Sequence, residues 1–185
     1  TRLVSDWSSD VCSSDLRESI VNGMHTSFKS FLIRDWQPTD RQAAAALIGQ
    51  VLTDYGLGWE PDVADVDVVQ VEQYYQNGEF WVVEQAGTIV GTAAYLPIER
   101  GNQAVEIRKM YLLPVARGQG LGRFLLGQLE GAIATRGFKE IWLETATVLK
   151  EAVCMYESSG YLPATGVETT RCDRVYKKSL HGDVS

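Results

Sequence analysis

The chain has 185 residues, long enough for one domain with a full core and no need of disulfide or metal staples. Hydrophobic residues make up 45% and charged residues 22%, values that exclude a disordered, collagen-like or coiled-coil chain. Lys and Arg number 17 against 24 Asp and Glu, a net charge of −7 without a basic run, which excludes nucleic acid as a partner; with no apolar run near the roughly 18 residues of a membrane span and no basic-then-apolar leader, a soluble, cytoplasmic protein without a membrane partner is expected.

Residues 6–16, DWSSDVCSSDL, have neither helical nor strand periodicity. They resemble the translation of a common short-read sequencing adapter. Residues 1–23 are therefore expected to be a disordered, non-native scar in which Trp7 and Cys12 carry no function, followed by a single domain over 24–185 that begins at Met24. A disordered native tail is the alternative.

Phe28 to Arg34 has the aromatic and branched content of an opening strand. Thr39 with Gln42 makes a capping box for a helix whose Ala44, Leu47, Ile48, Val51, Leu52 and Tyr55 recur at helical spacing until Gly56. An acidic linker over 57–67 leads to a shorter helix from Val68 to Gln76, closed by Asn77-Gly78. Phe80 to Glu84 and Ile89 to Leu96 then flank Gln85-Ala86-Gly87-Thr88 in the pattern of an antiparallel hairpin. Val105 to Leu113 is a strand ended by Pro114, Leu121 to Ile133 a helix closed by Gly137, and Glu140 to Thr145 a strand. A helix from Lys150 to Ser158, ended by Gly160, and a strand from Arg174 to Leu180 complete a mixed α/β sheet with helices on both faces.

The stretch from Pro114 to Arg123, PVARGQGLGR, lies between a strand and a helix. Glycines there let a ligand approach the backbone, and the open N–H groups of a first helical turn suit an anion such as pyrophosphate. The spacing matches neither a P-loop nor the dinucleotide fingerprint GxGxxG.

Arg117, Gly120 and Gly122 after a strand and Pro114 closely resemble the coenzyme A signature of the GCN5-related N-acetyltransferases. A second segment agrees: Trp142-Leu143-Glu144-Thr145, then Glu151-Ala152 and Met155-Tyr156-Glu157 running to Gly160-Tyr161-Leu162-Pro163, is similar to that family's later strand, helix and return strand. The resemblance spans Phe28 to Leu180. It implies a mixed, mostly antiparallel central sheet of about six to seven strands, splayed at the cofactor site.

It further implies that the main chain of Met110, Tyr111 and Leu112 binds pantetheine. Arg117, Gly118, Gln119, Gly120, Leu121, Gly122 and Arg123 would hold the pyrophosphate of acetyl-CoA, and Tyr156 would protonate the departing thiolate. Leu149 stands where many relatives carry an asparagine, so one side-chain hydrogen bond to the cofactor is missing. Two glutamates match bases used by different members: Glu144, the first choice, and Glu106. Each also reads as an ion-pair partner on a strand, and Glu106, Arg108 and Met110 alternate along one strand face.

Three cysteines (Cys12, Cys154, Cys172) and two histidines (His25, His181) lack zinc spacing, so no metal or disulfide framework is expected. Cys154 reads as a buried structural thiol, and Tyr74, Tyr75, Phe80 and Trp81 as core. Trp59 is either an acceptor contact or a loop anchor. Glu60, Asp62, Asp65, Asp67 and Glu72 gather where an acidic patch would attract a cationic acceptor; a solvated acidic loop is the alternative. The function the resemblance implies is direct transfer of acetyl from acetyl-CoA to a primary amine of a small molecule or peptide, by a monomer or a homodimer. The alternative is a non-catalytic sensor that binds coenzyme A or acyl-CoA on the same fold.

Overall fold

The computed structural model describes residues 23–180, so the expectations for Trp7, Cys12 and the rest of residues 1–22, and for His181, lie outside the described residues. The elements in chain order are β1 (His25–Phe28), β2 (Phe31–Asp35), α1 (Arg41–Asp54), α2 (Val66–Val69), α3 (Val71–Tyr74), β3 (Glu79–Gln85), β4 (Thr88–Pro97), β5 (Ala104–Leu112), α4 (Leu121–Thr135), β6 (Glu140–Thr145), α5 (Lys150–Ser158), β7 (Leu162–Ala164) and β8 (Arg174–Ser179). The strands form one eight-stranded sheet in the order β1-β2-β3-β4-β5-β6-β8-β7. Only β5 and β6 run parallel. One core, under α4 and α5, includes Trp81, Leu125, Leu129 and Tyr156; a second, on the opposite face under α1 to α3, includes Ile48, Leu52, Phe80 and Val82. Helices therefore cover both faces, as the element order requires.

The strand count exceeds expectation by two local events. Lys29, at φ 54, reverses the chain inside the expected first strand, which becomes the β1–β2 hairpin. β7 has three residues and pairs only with β8 at the sheet edge, too short to show a period. Helix α1 carries the expected buried stripe of Ala44, Leu47, Ile48, Val51 and Leu52 and stops at Gly56, at φ 71. Its start differs from the expected Thr39 box: Pro38 opens a single 3-10 turn, and the Gln37 amide donates to Asp40 (2.8 Å). The expected helix over 68–76 is two single turns broken at Gln70, as a β-branched run of low helix propensity allows. Of the four aromatics expected in the core, Tyr75, Phe80 and Trp81 are buried and Tyr74 is 41% exposed.

The decisive irregularity is in β5. Thr92 pairs with Tyr111 and Ala94 with Arg108, so Lys109 and Met110 together oppose Ala93, and Lys109 sits at φ 50. An extra residue inverts the in–out alternation beyond it. Val105 and Ile107 face the α4/α5 core before the bulge, and Met110 and Leu112 face it after. Met110 is consequently not on the face of Glu106 and Arg108, contrary to the expected alternation. The parallel ladder covers only Ala104–Ile107 against Glu140–Leu143, and where it ends at the bulge the two strands part.

Candidate functional site

A cavity of about 530 Å³ opens where β5 and β6 separate. Met110, Tyr111 and Leu112 form one wall, Leu149, Ala152, Met155 and Tyr156 another, and Arg117, Gly118, Gly122 and Arg123 its rim. Beyond Leu112 the chain makes a 3-10 turn at Pro114–Ala116, then a loop in which Gly118 (φ 72) and Gly120 (φ 84) adopt the left-handed backbone that glycine alone enters cheaply. A side chain at Gly118 would meet nothing within 4 Å. The first bond within α4 runs from the Phe124 amide to the Gly120 carbonyl (3.1 Å), so the amides of Leu121, Gly122 and Arg123 precede it at the positive end of a 15-residue helix. Such an arrangement offers an anion three main-chain donors.

The expected cofactor residues divide by role. Leu121 is 1% exposed and its side chain belongs to the core, leaving only its amide to the loop. Gln119 is taken up locally: its carbonyl accepts from Lys29 Nζ (2.7 Å) and its side-chain amide donates to Val115 (3.0 Å). Arg117 donates to the Leu112 carbonyl (2.7 Å) and to the Tyr55 hydroxyl (3.1 Å), fastening the loop to the end of β5 and to the segment just after α1. Arg123 reaches Ser158 Oγ at 3.0 Å across the rim. Leu149 lines the cavity and offers no polar group there.

Tyr156 is 6% exposed, and its hydroxyl has a single weak partner, the Met110 sulfur at 3.9 Å. Burial pushes its phenol well above the usual range, with Tyr111 and Cys172 adding to the shift. It borders two cavities at once, because a second, of about 60 Å³, continues past it between β5 and the loop before β8. Arg108, Lys109, Glu144, Arg171 and Cys172 line that smaller space.

The carboxylates around it are differently placed. Glu144 accepts from the amides of Glu168 and Thr169 (both 2.8 Å) and lies 3.5 Å from Arg100, so it anchors the loop before β8. Glu106 is buried and bonded to Arg108 Nε (2.9 Å); burial pushes its carboxyl up and Arg108 opposes this. Asp65, at 0% exposure, accepts from Lys109 Nζ (2.6 Å), from both terminal nitrogens of Arg171 (2.7 and 2.6 Å) and from the Glu60 amide (2.9 Å). Burial works against its charge, but Arg171 and Lys109 prevail and its carboxyl is held below the usual range. Asp67 accepts from the Tyr75 hydroxyl (2.7 Å), and Glu72 is gripped by Arg41 (2.6 Å).

Two expectations change accordingly, and an open one is decided. The acidic patch is not a free attractant, since Asp65 and Asp67 are buried and paired. Cys154 is exposed on the outer side of α5, while Cys172 is half-buried with its thiol pushed up to about 11 by burial. Trp59 packs over Gly49 of α1 (3.7 Å from a Cβ there) in the second core, as a loop anchor. No spacing in the sequence joins Asp65, Lys109 and Arg171; the one signal is Lys109 within β5, a cation that must find a partner if buried.

Among the described residues no helix is long and apolar enough to cross a membrane. The chain is 38% identical over 127 residues to the uncharacterized N-acetyltransferase YjgM of Escherichia coli, a match covering 66% of this chain and 76% of YjgM. Its fold is similar to that of an acetyltransferase of the GNAT family from Staphylococcus aureus (TM-score 0.76, 18% identity, 82% of this chain and 99% of that one). It is also similar to the structure of yncA from Salmonella typhimurium with its cofactor acetyl-CoA (TM-score 0.65, 18% identity, 84% and 97%). The model of the acetyltransferase (GNAT) family matches residues 46–161, from α1 through the glycine loop to the residues just past Tyr156, and the chain belongs to that family.

Proposed function

We propose that this protein transfers an acetyl group from acetyl-CoA directly to a primary amine of a small molecule or peptide. The observation that carries the reading is the position of Tyr156: its side chain lines both the large cavity and the small one, so that a thioester arriving from one side would meet an amine from the other beside it. The residues present suit the donor. The diverging main chain of Met110 to Leu112 has the reach for a pantetheine arm, and the open amides of Leu121 to Arg123, reached past Gly118, suit a pyrophosphate. Acetyl-CoA supplies an activated acyl thioester.

In the reaction the amine nitrogen forms a bond to the acetyl carbon as the carbon–sulfur bond breaks. The nitrogen loses one proton and the sulfur gains one. Tyr156, kept protonated by its buried setting, gives its hydroxyl proton to the sulfur. Glu106 takes the amine proton through water, its basicity raised by burial, while Glu144 spends both oxygens holding the loop before β8.

Thiol release from acetyl-CoA in the presence of an amine panel tests the reading, with Tyr156→Phe as the variant. The substitution keeps the ring and deletes the hydroxyl, so kcat is expected to fall roughly 10²-fold with acetyl-CoA affinity retained. Binding of acetyl-CoA without turnover of any amine would favour a sensor instead.

A further inference from the structure

Under the transferase reading, on which this step rests, the acceptor must enter the small cavity beyond Tyr156. The donors and acceptors already spoken for there narrow its chemistry. Glu144, the carboxylate that lines this cavity, is engaged by two backbone amides; behind the lining Asp65 is held by Lys109 and Arg171, and Asp67 accepts from the Tyr75 hydroxyl with its other oxygen 3.2 Å from Lys109 Nζ. Two of the three bordering cations are engaged as well. Lys109 Nζ donates to the Ala64 carbonyl (2.9 Å) and Asp65, and Arg171 donates to Asp65 and the Gly58 carbonyl (3.1 Å).

Arg108 differs. Only its Nε is bonded, to Glu106 at 2.9 Å; Nη1 lies 3.7 Å from Asp67, beyond hydrogen-bonding distance, and Nη2 has no acceptor among the described residues. Its side chain is 30% exposed, against 5% for Lys109 and 10% for Arg171. Glu106 thus holds the guanidinium by Nε and leaves the far edge, Nη1 and Nη2, without a hydrogen-bond acceptor among the described residues, on a side chain that lines the small cavity. That edge matches a carboxylate in size, charge and planarity.

We infer that Arg108 binds a carboxylate of the acceptor, so that the substrate is an amino acid or another small amine carrying a carboxylate beside its amine. This reverses the electrostatic preference expected from the acidic residues of 57–72, whose buried members are neutralised from within.

Matched pairs test it: free L-amino acids and the corresponding amino-acid amides, offered with acetyl-CoA to the intact chain and followed by thiol release and product mass. The acids are expected to exceed their amides in kcat/KM by about tenfold or more, the range of a charge-assisted bidentate contact. In Arg108→Gln that ratio should collapse toward unity, and Arg108→Lys should retain part of it, because a point charge attracts without matching both oxygens. The wild-type ratio decides the matter even if Arg108→Gln fails to fold. Amides turned over as well as acids, or acetyl-CoA binding with neither set acetylated, would overturn the acceptor assignment. Calorimetry showing no acetyl-CoA binding at all would instead overturn the transferase reading beneath it.

Discussion

The two cavities that meet at Tyr156 are assembled from different materials. The larger, about 530 Å³, is bounded mostly by main chain and apolar side chains of 110–123 and 149–156, with Val51 and Tyr55 added from α1 and its end and charges only at Arg117, Arg123 and Glu151. The smaller, about 60 Å³, is closed by charged side chains whose partners lie 44 residues away for Lys109–Asp65 and 106 for Arg171–Asp65. A wall of backbone tolerates change in most side chains and fails where the backbone itself is altered. A wall of paired charges fails when one member is removed, because its partners are left charged and dry.

The contrast is broken most forcefully at Asp65. Asp65→Asn keeps the shape but leaves Lys109 and Arg171 with one buried neutral partner, and a loss of about 3–5 kcal/mol in unfolding free energy is expected by chemical denaturation. The pH dependence has a definite sign. The Asp65 carboxyl is held below its unfolded value, so its stabilisation is complete above the unfolded value near 3.9 and disappears as the pH falls through the folded value. The asparagine variant should lack that acid-side dependence. A loss under about 1 kcal/mol would mean that the charges are screened and the wall is held by packing.

The main-chain wall is probed at Gly120. Gly120→Val adds branched bulk to a residue at φ 84, just before the amides of Leu121 to Arg123, and the nearest atom to its Cβ is Phe28 Cζ at 3.8 Å. Room for the side chain exists, so the fold should survive with a strain cost of roughly 1–2 kcal/mol. Access to those amides should not, and the acetyl-CoA Kd measured by calorimetry should rise by more than about tenfold. An unchanged Kd in the folded variant would remove the phosphates from this loop.

The same contrast explains what could be read in advance. Gly118, Gly120 and Gly122, the strand before them and the helix after are contiguous, so their spacing carries the cleft directly. The β5 bulge was not readable: VEIRKMYLL alternates well enough as a plain strand, and nothing local announces that Lys109 takes φ 50 and turns Met110 to the opposite face. At that bulge the Lys109 carbonyl accepts from Thr92 Oγ1 (2.7 Å) and its ammonium meets a carboxylate on a distant loop, contacts made only after folding. Acidic residues at 60, 62, 65, 67 and 72 look alike as a string, yet Asp65 is buried and paired whereas Asp62 is exposed. Local periodicity reports faces; it does not report partners.

The glutamates give the finest test, because Glu144 lines the smaller cavity while Glu106 stands behind its wall, bonded to Arg108. Glu144 accepts backbone amides and so behaves as part of the loop scaffold, while Glu106 sits behind Arg108 with its carboxyl raised by burial. A carboxylate base works only when ionised, so kcat/KM should rise with pH as that base loses its proton, and an elevated carboxyl moves the ascending limb above the ordinary range near 4.3. Glu106→Gln should abolish the limb and lower the plateau. Glu144→Gln replaces one acceptor oxygen by a donor facing the Glu168 or Thr169 amide, so it should loosen the loop before β8, raising the acceptor KM while the limb stays in place. A limb lost in Glu144→Gln and kept in Glu106→Gln would exchange the two roles, and would mean that the loop carboxylate gives up an amide when acceptor binds.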